Sequence, residues 1–244
     1  MIMSLSVSNL SKVYPSGRGI HNISFDLKKG SILGIIGLNG AGKTTLLSCL
    51  AGFINKDSGD ISYTFDNANH RTVSADVLEN LGIVFSEYGF PGHFSAKTIC
   101  SIMSKSYKKW SSETFYALLS QLELDRNLVT KKYSTGMKTK LAIAIALSHN
   151  AKILILDEAT NGLDAKSSAK VRNLMSTFVS NRENSIIITS HIMGEIERMS
   201  DYIMFIDNGH MKFNCSKDEL LQRYKGSYVT LDEIIEALLK GEVL

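Results

Sequence analysis

Nine consecutive residues, Gly37-Leu38-Asn39-Gly40-Ala41-Gly42-Lys43-Thr44-Thr45, combine spaced glycines with a cation and a hydroxyl. They fit the pattern Gly-x-x-x-x-Gly-Lys-Ser/Thr, which cradles phosphate. Gly37, Gly40 and Gly42 let the backbone curl until successive N–H groups point inward at phosphate oxygens. Asn39, Ala41 and Thr45 complete the loop residues expected around the anion. A helix starting near Lys43 adds its positive dipole end. Lys43 supplies a mobile cation for the β and γ phosphates, and Thr44 a hydroxyl for Mg²⁺. A dinucleotide-binding fingerprint fits less well. The glycines run Gly-x-x-Gly-x-Gly, and Lys-Thr at the helix start has no role there.

A second element carries acid chemistry. The apolar run Ile153-Leu154-Ile155-Leu156 delivers Asp157 and Glu158 side by side. Asp157 is suited to hold Mg²⁺, directly or through water, beside Thr44. Glu158 points elsewhere because side chains alternate along a strand, so it suits a general base for water over the γ-phosphate. By itself Asp-Glu after a strand more often caps a helix. Downstream of a phosphate loop, the catalytic reading takes precedence.

These residues need a scaffold that brings them together. Ile32–Ile36 predicts a buried strand leading into the phosphate loop, and Thr45–Ala51 a helix leaving it, ending near Gly52. Residues 4–14 and 20–27 alternate around the turn Pro15–Gly19 and predict an antiparallel hairpin. Ile61–Phe65 and Leu81–Phe85 read as strands, with Asp66–His70 a polar turn and Ser86–Gly92 a loop. Residues 95–128 read as helical, with Phe115, Leu118, Leu119 and Leu122 on one face, Ser111 or Ser112 as cap, and Trp110 packed at the helix start. Tyr133–Lys138 reads as a loop and Met137–Ser148 as a helix apolar on all sides, hence buried. Ala165–Arg182 is amphipathic, and Ile186–Ile188 is a buried strand ending at Thr189-Ser190-His191. Asp207-Asn208-Gly209-His210 signals a hairpin turn. The tail helix Leu231–Lys240 opens with a capping box, Thr230 and Glu233, and stops at Gly241. Strands alternating with helices after residue 30 predict an α/β domain with a mainly parallel sheet. Its ligands then sit at the carboxyl ends of the strands, where Gly37, Asp157 and His191 fall.

The 244 residues, 44% hydrophobic, can bury a sizeable core in one domain with a lobe. A formal net charge of +3, with no block of like charge, argues against a nucleic-acid partner. Cys49, Cys100 and Cys215 are far apart, show no metal-ligand spacing and suit a reducing compartment. No signal peptide is expected at Met1-Ile2-Met3, and no apolar run approaches the roughly 20 residues that span a bilayer. Any membrane role is therefore expected to go through a partner.

With these residues in view, the chain resembles the nucleotide-binding subunit of ATP-binding cassette (ABC) transporters over nearly its whole length. Tyr133-Ser134-Thr135-Gly136-Met137-Lys138 looks like the family's signature loop, usually Leu-Ser-Gly-Gly-Gln. Asn161-Gly162-Leu163-Asp164 looks like its D-loop, His191 like its switch histidine and Tyr14 like the aromatic that stacks on adenine. The resemblance implies a P-loop NTPase core with a mainly parallel sheet, an antiparallel β lobe, a helical lobe at about 93–148 and a helical tail at about 216–244. It implies ATP and Mg²⁺ as ligands. It also implies a head-to-tail dimer, of identical chains or with a second ATPase subunit, in which Ser134, Thr135, Gly136 and Asp164 serve the partner's nucleotide. Ser134 and Gly136 stand at the start of an apolar helix, where N–H groups and a dipole can meet a γ-phosphate from across an interface. Catalysis would rest on Lys43, Glu158 and His191. A separately encoded membrane permease would hold the subunit at the cytoplasmic face of the membrane.

Several positions depart from the family pattern. Ser86 stands where the family often has Gln, with Glu87 next to it as a substitute metal-sensing residue. Thr135 replaces Gly, Met137 replaces Gln, and Ala159 replaces the usual Pro. The acids, the lysine and the histidine are intact, so hydrolysis is expected. Tyr107–Trp110, Phe115–Leu124 and Tyr133–Leu141 resemble bacterial exporter ATPases, some of which move antimicrobial peptides or other amphipathic compounds. A regulatory ATP-binding subunit with little turnover is the rival reading, and a small-molecule kinase has no use for residues 133–138.

Overall fold

Short, continuously apolar runs make strands that are buried on both faces, and this chain places several of them side by side. The computed structural model describes residues 3–85, 89–190, 193–224 and 230–240. The core sheet has the order β10-β9-β3-β8-β7-β6. Its strands are β3 (Ile32–Ile36), β6 (Leu81–Val84), β7 (Ile153–Asp157), β8 (Ser185–Thr189), β9 (Tyr202–Asp207) and β10 (His210–Ser216). All neighbouring pairs are parallel except β9 with β10, the hairpin that the Asp-Asn-Gly-His turn predicts. Every residue of β3, β7 and β8 is buried.

The two faces of this sheet feed two cores. Leu154, Leu156, Ile186 and Ile188 pack with the helical side, whereas Ile153, Ile155 and Ile187 pack with a second sheet. That period of two is the strand's own geometry. Each such side chain contributes about 1.5–3 kcal/mol on burial. The second sheet, order β2-β1-β4-β5, is antiparallel. It comprises β1 (Met3–Val13), β2 (Gly19–Lys28), β4 (Ser58–Phe65) and β5 (Ala68–His70). Residues 66–70, expected as a turn, thus include a strand. Asp66 and Asn67 alone make the turn, both with positive φ, and Ala68, Asn69 and His70 pair with Phe65, Thr64 and Tyr63.

The helices are α1 (Lys43–Leu50), α2 (Ala75–Leu78), α3 (Ala96–Ser106), α4 (Ser112–Gln121), α5 (Thr135–Leu147), α6 (Ala165–Val179), α7 (Met193–Met199), α8 (Lys217–Arg223) and α9 (Leu231–Lys240). Residues 95–128 are not one helix. Ser95 caps α3 and Ser111 caps α4, each accepting a backbone N–H three residues on, and Tyr107 between them is extended. A serine cap contributes about 1 kcal/mol, enough to restart the helix at its own position. Trp110 packs at that restart, its ring 5.2 Å from Phe115. The Thr230–Glu233 capping box forms reciprocally at 3.3 Å; Gly241 lies outside the described residues. The short helices α2, α7 and α8 carry too few turns to give a periodic signal. Among the described residues no helix is long and apolar enough to cross a membrane.

Beyond its apolar packing, the helical side, α3–α5, is clamped to α6 at the surface through one carboxylate. Glu123, just past α4, accepts hydrogen bonds from both Lys166 and Lys170 of α6 at 2.9 Å. Lys170 also donates to the Gln121 carbonyl and Lys140 to that of Leu122, so cations cluster where the α4 dipole is negative. The two lysines hold the Glu123 carboxyl down at about 2. Because this folded value is depressed, its contribution should be present above the ordinary value of about 4.5 and lost as pH falls toward 2. NMR titration of Glu123 should give a midpoint near 2 at low salt, moving up as salt screens the exposed pairs. An ordinary, salt-independent midpoint would contradict the clamp.

Candidate nucleotide site

The phosphate loop forms because β3 must end and α1 must begin within six residues. Gly42 makes the junction possible: it caps α1 with φ +108°, and a Cβ there would stand 2.8 Å from Ile20 Cγ2 and 2.9 Å from the Gly19 carbonyl. The outer rim is fixed from the β9–β10 turn. Gly209 N–H donates to the Ala41 carbonyl, and its own carbonyl accepts from His21 N–H, at 2.9 and 2.8 Å. The loop is therefore held in shape by backbone from three segments before any ligand arrives.

Lys43 is 6% exposed and folds back across the loop, donating to the Gly37 and Leu38 carbonyls at 2.7 and 3.1 Å. Burial pushes its ammonium below the ordinary lysine value, and the Glu158 and Asp157 charges pull the other way. Two carbonyls neutralise a cation poorly, so an anion entering the loop meets a strong attractor. Thr44 Oγ donates to Asp157 Oδ2 at 2.8 Å. Asp157, 4% exposed at the end of β7, receives its other hydrogen bond from Thr189 Oγ at 2.6 Å. Thr189 in turn takes the Glu158 N–H at 3.0 Å. Glu158 leaves the strand with φ +53°, so its carboxylate turns away from that of Asp157, and Asn161 Nδ2 donates to it at 2.5 Å.

Tyr14, Asn39, Gly40, Gly42, Lys43, Thr44, Thr45 and Glu158 line one hollow, together with Ser16, Arg18 and Gly19. Tyr14 stands at its rim, 38% exposed, on the turn that joins β1 to β2. Ala41 is buried beneath the loop, and Gly37 contributes its carbonyl to Lys43. The signature-like residues are not on this hollow. Ser134 is exposed and caps α5, accepting the Met137 N–H at 3.2 Å. Thr135 and Gly136 belong to the first turn of α5, which begins two residues before the expected helix. Gly136 abuts the D-loop-like segment of its own chain: a Cβ there would lie 2.4 Å from the Gly162 carbonyl. Asp164 caps α6, its oxygens taking the Ser167 N–H and Oγ–H, which hold its carboxyl below the usual range. Thr135, Asp157, Glu158 and Asn161 line a neighbouring hollow of about 200 Å³. The expected positions Ser86, Glu87 and His191 lie outside the described residues.

Two contributors were not singled out from sequence. Thr189 faces Asp157 because the two pair in register across β7 and β8; its signal was the Thr-Ser-His run at a strand end. Glu195 is buried on α7 and gave no local signal.

A glycine-capped phosphate loop beside a buried acid, on the carboxyl edge of a parallel sheet, defines a P-loop nucleoside triphosphatase. The chain matches the ABC transporter family over residues 20–161, and it belongs to that family. A lantibiotic transport ATP-binding protein of Streptococcus pyogenes is 33% identical over 98% of this chain and 97% of its own length. A bacitracin transport ATP-binding protein of Bacillus licheniformis is 32% identical over 90% of this chain and 72% of its own. A dimeric ATP-binding cassette solved in a post-hydrolysis state with ADP and phosphate superposes with TM-score 0.75, covering 87% of this chain and 98% of the other at 20% identity. The chain is thus the ATP-binding, ATP-hydrolysing subunit of an ABC transporter.

Thr189→Val keeps the shape of the side chain and removes the hydroxyl that serves Asp157 and Glu158. It should cost about 1–3 kcal/mol, the penalty of an unsatisfied buried polar group. Urea denaturation should show this for Val and much less for Ser; equal stability of Val and Thr would contradict the assigned network.

Proposed function

We propose that this chain powers export of an antimicrobial peptide or similar amphipathic compound through a separately encoded membrane permease, at the cytoplasmic face of the membrane. The relatives named for bacitracin and lantibiotic transport support the substrate class. The reading of the site rests chiefly on one observation: Thr44 and Asp157 share a hydrogen bond across the phosphate loop.

ATP enters the hollow with its adenine on Tyr14 and its phosphates on the N–H groups of residues 39–45. Lys43 leaves the Gly37 and Leu38 carbonyls for the β and γ phosphates. Thr44 Oγ and Asp157 Oδ2, hard oxygen donors 2.8 Å apart, fit a Mg²⁺ ion that takes its remaining ligands from phosphate and water. Among the described residues no cluster of three or more His, Cys, Asp or Glu side chains forms a self-sufficient metal cage. A Mg²⁺ ion at this site would arrive with the nucleotide. When bound, it neutralises charge on the β and γ phosphates. Glu158, held by Asn161, accepts a proton from water attacking the γ-phosphorus, and ADP leaves. By the family resemblance alone, His191 would contact the γ-phosphate, and Glu87 or Ser86 would sense the metal.

Ser134, Thr135 and Gly136 stand off the hollow of their own chain, so they serve the nucleotide of a second chain, a copy of this one or a related subunit. The exposed start of α5 presents N–H groups and a positive dipole end for that contact. Release of phosphate removes the anion shared by the two chains, and the dimer opens.

Glu158→Gln should retain ATP binding and lower kcat by about 10²–10⁴, the weight of a general base. Phosphate release by the purified chain is the measurement. Normal turnover would remove Glu158 from the chemistry. Binding without turnover in the wild type at every protein concentration would move the regulatory reading ahead.

A further inference from the structure

Behind the acids lies a buried carboxylate that the mechanism above does not use. Glu195, on α7, is 9% exposed. Its Oε2 accepts from the hydroxyls of Thr160 and Ser190, and its Oε1 from Ser168 Oγ at 2.9 Å. The three donors come from three different segments. Thr160 is two residues past Glu158 and adjoins Asn161, which holds the Glu158 carboxylate. Ser190 follows Thr189, which holds Asp157 and the Glu158 N–H. Ser168 sits in the first turns of α6, where its N–H donates to the carbonyl of the capping residue Asp164.

Glu195 thus stands one residue behind both side chains that orient the paired acids. A buried carboxylate is costly, and packing alone would be served at lower cost by an apolar side chain. Hydroxyls donating to a charge make stronger bonds than hydroxyls donating to a neutral acceptor. We propose that Glu195 is a positioning residue for ATP hydrolysis: it ties residues 158–164 to the end of β8 and so sets where Glu158 stands relative to Asp157. This rests on the ATPase reading of the site. The group touches no nucleotide and acts through Thr160–Asn161 and Thr189–Ser190.

Glu195→Gln keeps the shape and replaces one acceptor oxygen by a donor. It should lower kcat per folded chain by roughly 10–100-fold, the scale of a reacting group misplaced by about an ångström, with KM for ATP near wild type. The melting temperature should fall as well, because the new amide N–H groups face hydroxyl donors. Thr160→Val should reproduce the effect, because it removes one of the same hydrogen bonds. In the Glu158→Gln background, Glu195→Gln should add little, since two residues acting through one step are not additive. A merely structural role would lower the melting temperature and leave turnover per folded chain unchanged, which would overturn the proposal. Amide hydrogen exchange supplies a readout independent of turnover. Glu195→Gln should accelerate exchange in residues 158–164 and 185–190 together, and unchanged exchange in both would also overturn it. Absence of turnover in the wild type would reject the ATPase reading, and the exchange comparison would still decide the coupling.

Discussion

Asp157 is a single buried carboxylate with both oxygens engaged, and the site is organised around that constraint. One oxygen takes Thr44 at the start of α1, the other takes Thr189 at the end of β8. The phosphate loop, the strand that carries the acids and the neighbouring strand are thereby locked to one another at the carboxyl edge of the sheet. The apolar interiors of β3, β7 and β8 make this possible. Flat burial on both faces fixes strand register, and register brings Thr189 opposite Asp157. The polar chemistry is precise because the apolar packing beneath it leaves no freedom to slide.

Charge at the site is arranged for a ligand that brings its own. Lys43 is buried against carbonyls, at a cost that lowers its proton affinity, with acids nearby to restrain the fall. A polyphosphate with a divalent cation fits that arrangement: the anion satisfies the loop and Lys43, and the cation satisfies Thr44 and Asp157. Glu158 stands between two hollows, one over the phosphate loop and one running toward α5. A base in that position is reached both by nucleotide and by changes in the helical side. The latter also meets α6 through the Glu123 ion pairs.

Much of this was legible in the sequence because it is written in local pattern. The glycine spacing before Lys43, the apolar run before Asp157 and the Asp-Asn-Gly-His turn each specify their own conformation within a few residues. The capping box at Thr230 and the serine at 111 did so as well. What sequence did not reveal depends on contacts between distant segments. The strand Ala68–His70 is polar and short, and exists because β4 offers it an edge. The break at Tyr107 depends on Ser111 and on the Ser148 carbonyl that takes its N–H. The first turn of α5 reads as loop because Thr-Gly is a weak helix start, and Ser134 overrides that weakness by capping it. Thr189 and Glu195 owe their roles chiefly to partners in residues 157–168, far away in the chain, with Ser190 a near partner of Glu195. Ser86, Glu87 and His191 stand on resemblance alone.

In the proposed dimer each chain carries half of two sites, with Lys43 and Glu158 on one face and Ser134 at the head of α5 on another. Mixing equal amounts of two inactive variants, Lys43→Ala and Ser134→Arg, separates a shared site from a self-contained one. In a dimer of one chain of each kind, one site receives both lesions and the other receives none. Turnover should return on mixing to about a quarter of wild type, because random pairing makes half the dimers mixed and each has one intact site. No recovery, from two variants that fold and bind one another, would contradict a shared site and leave each chain to hydrolyse ATP with its own residues.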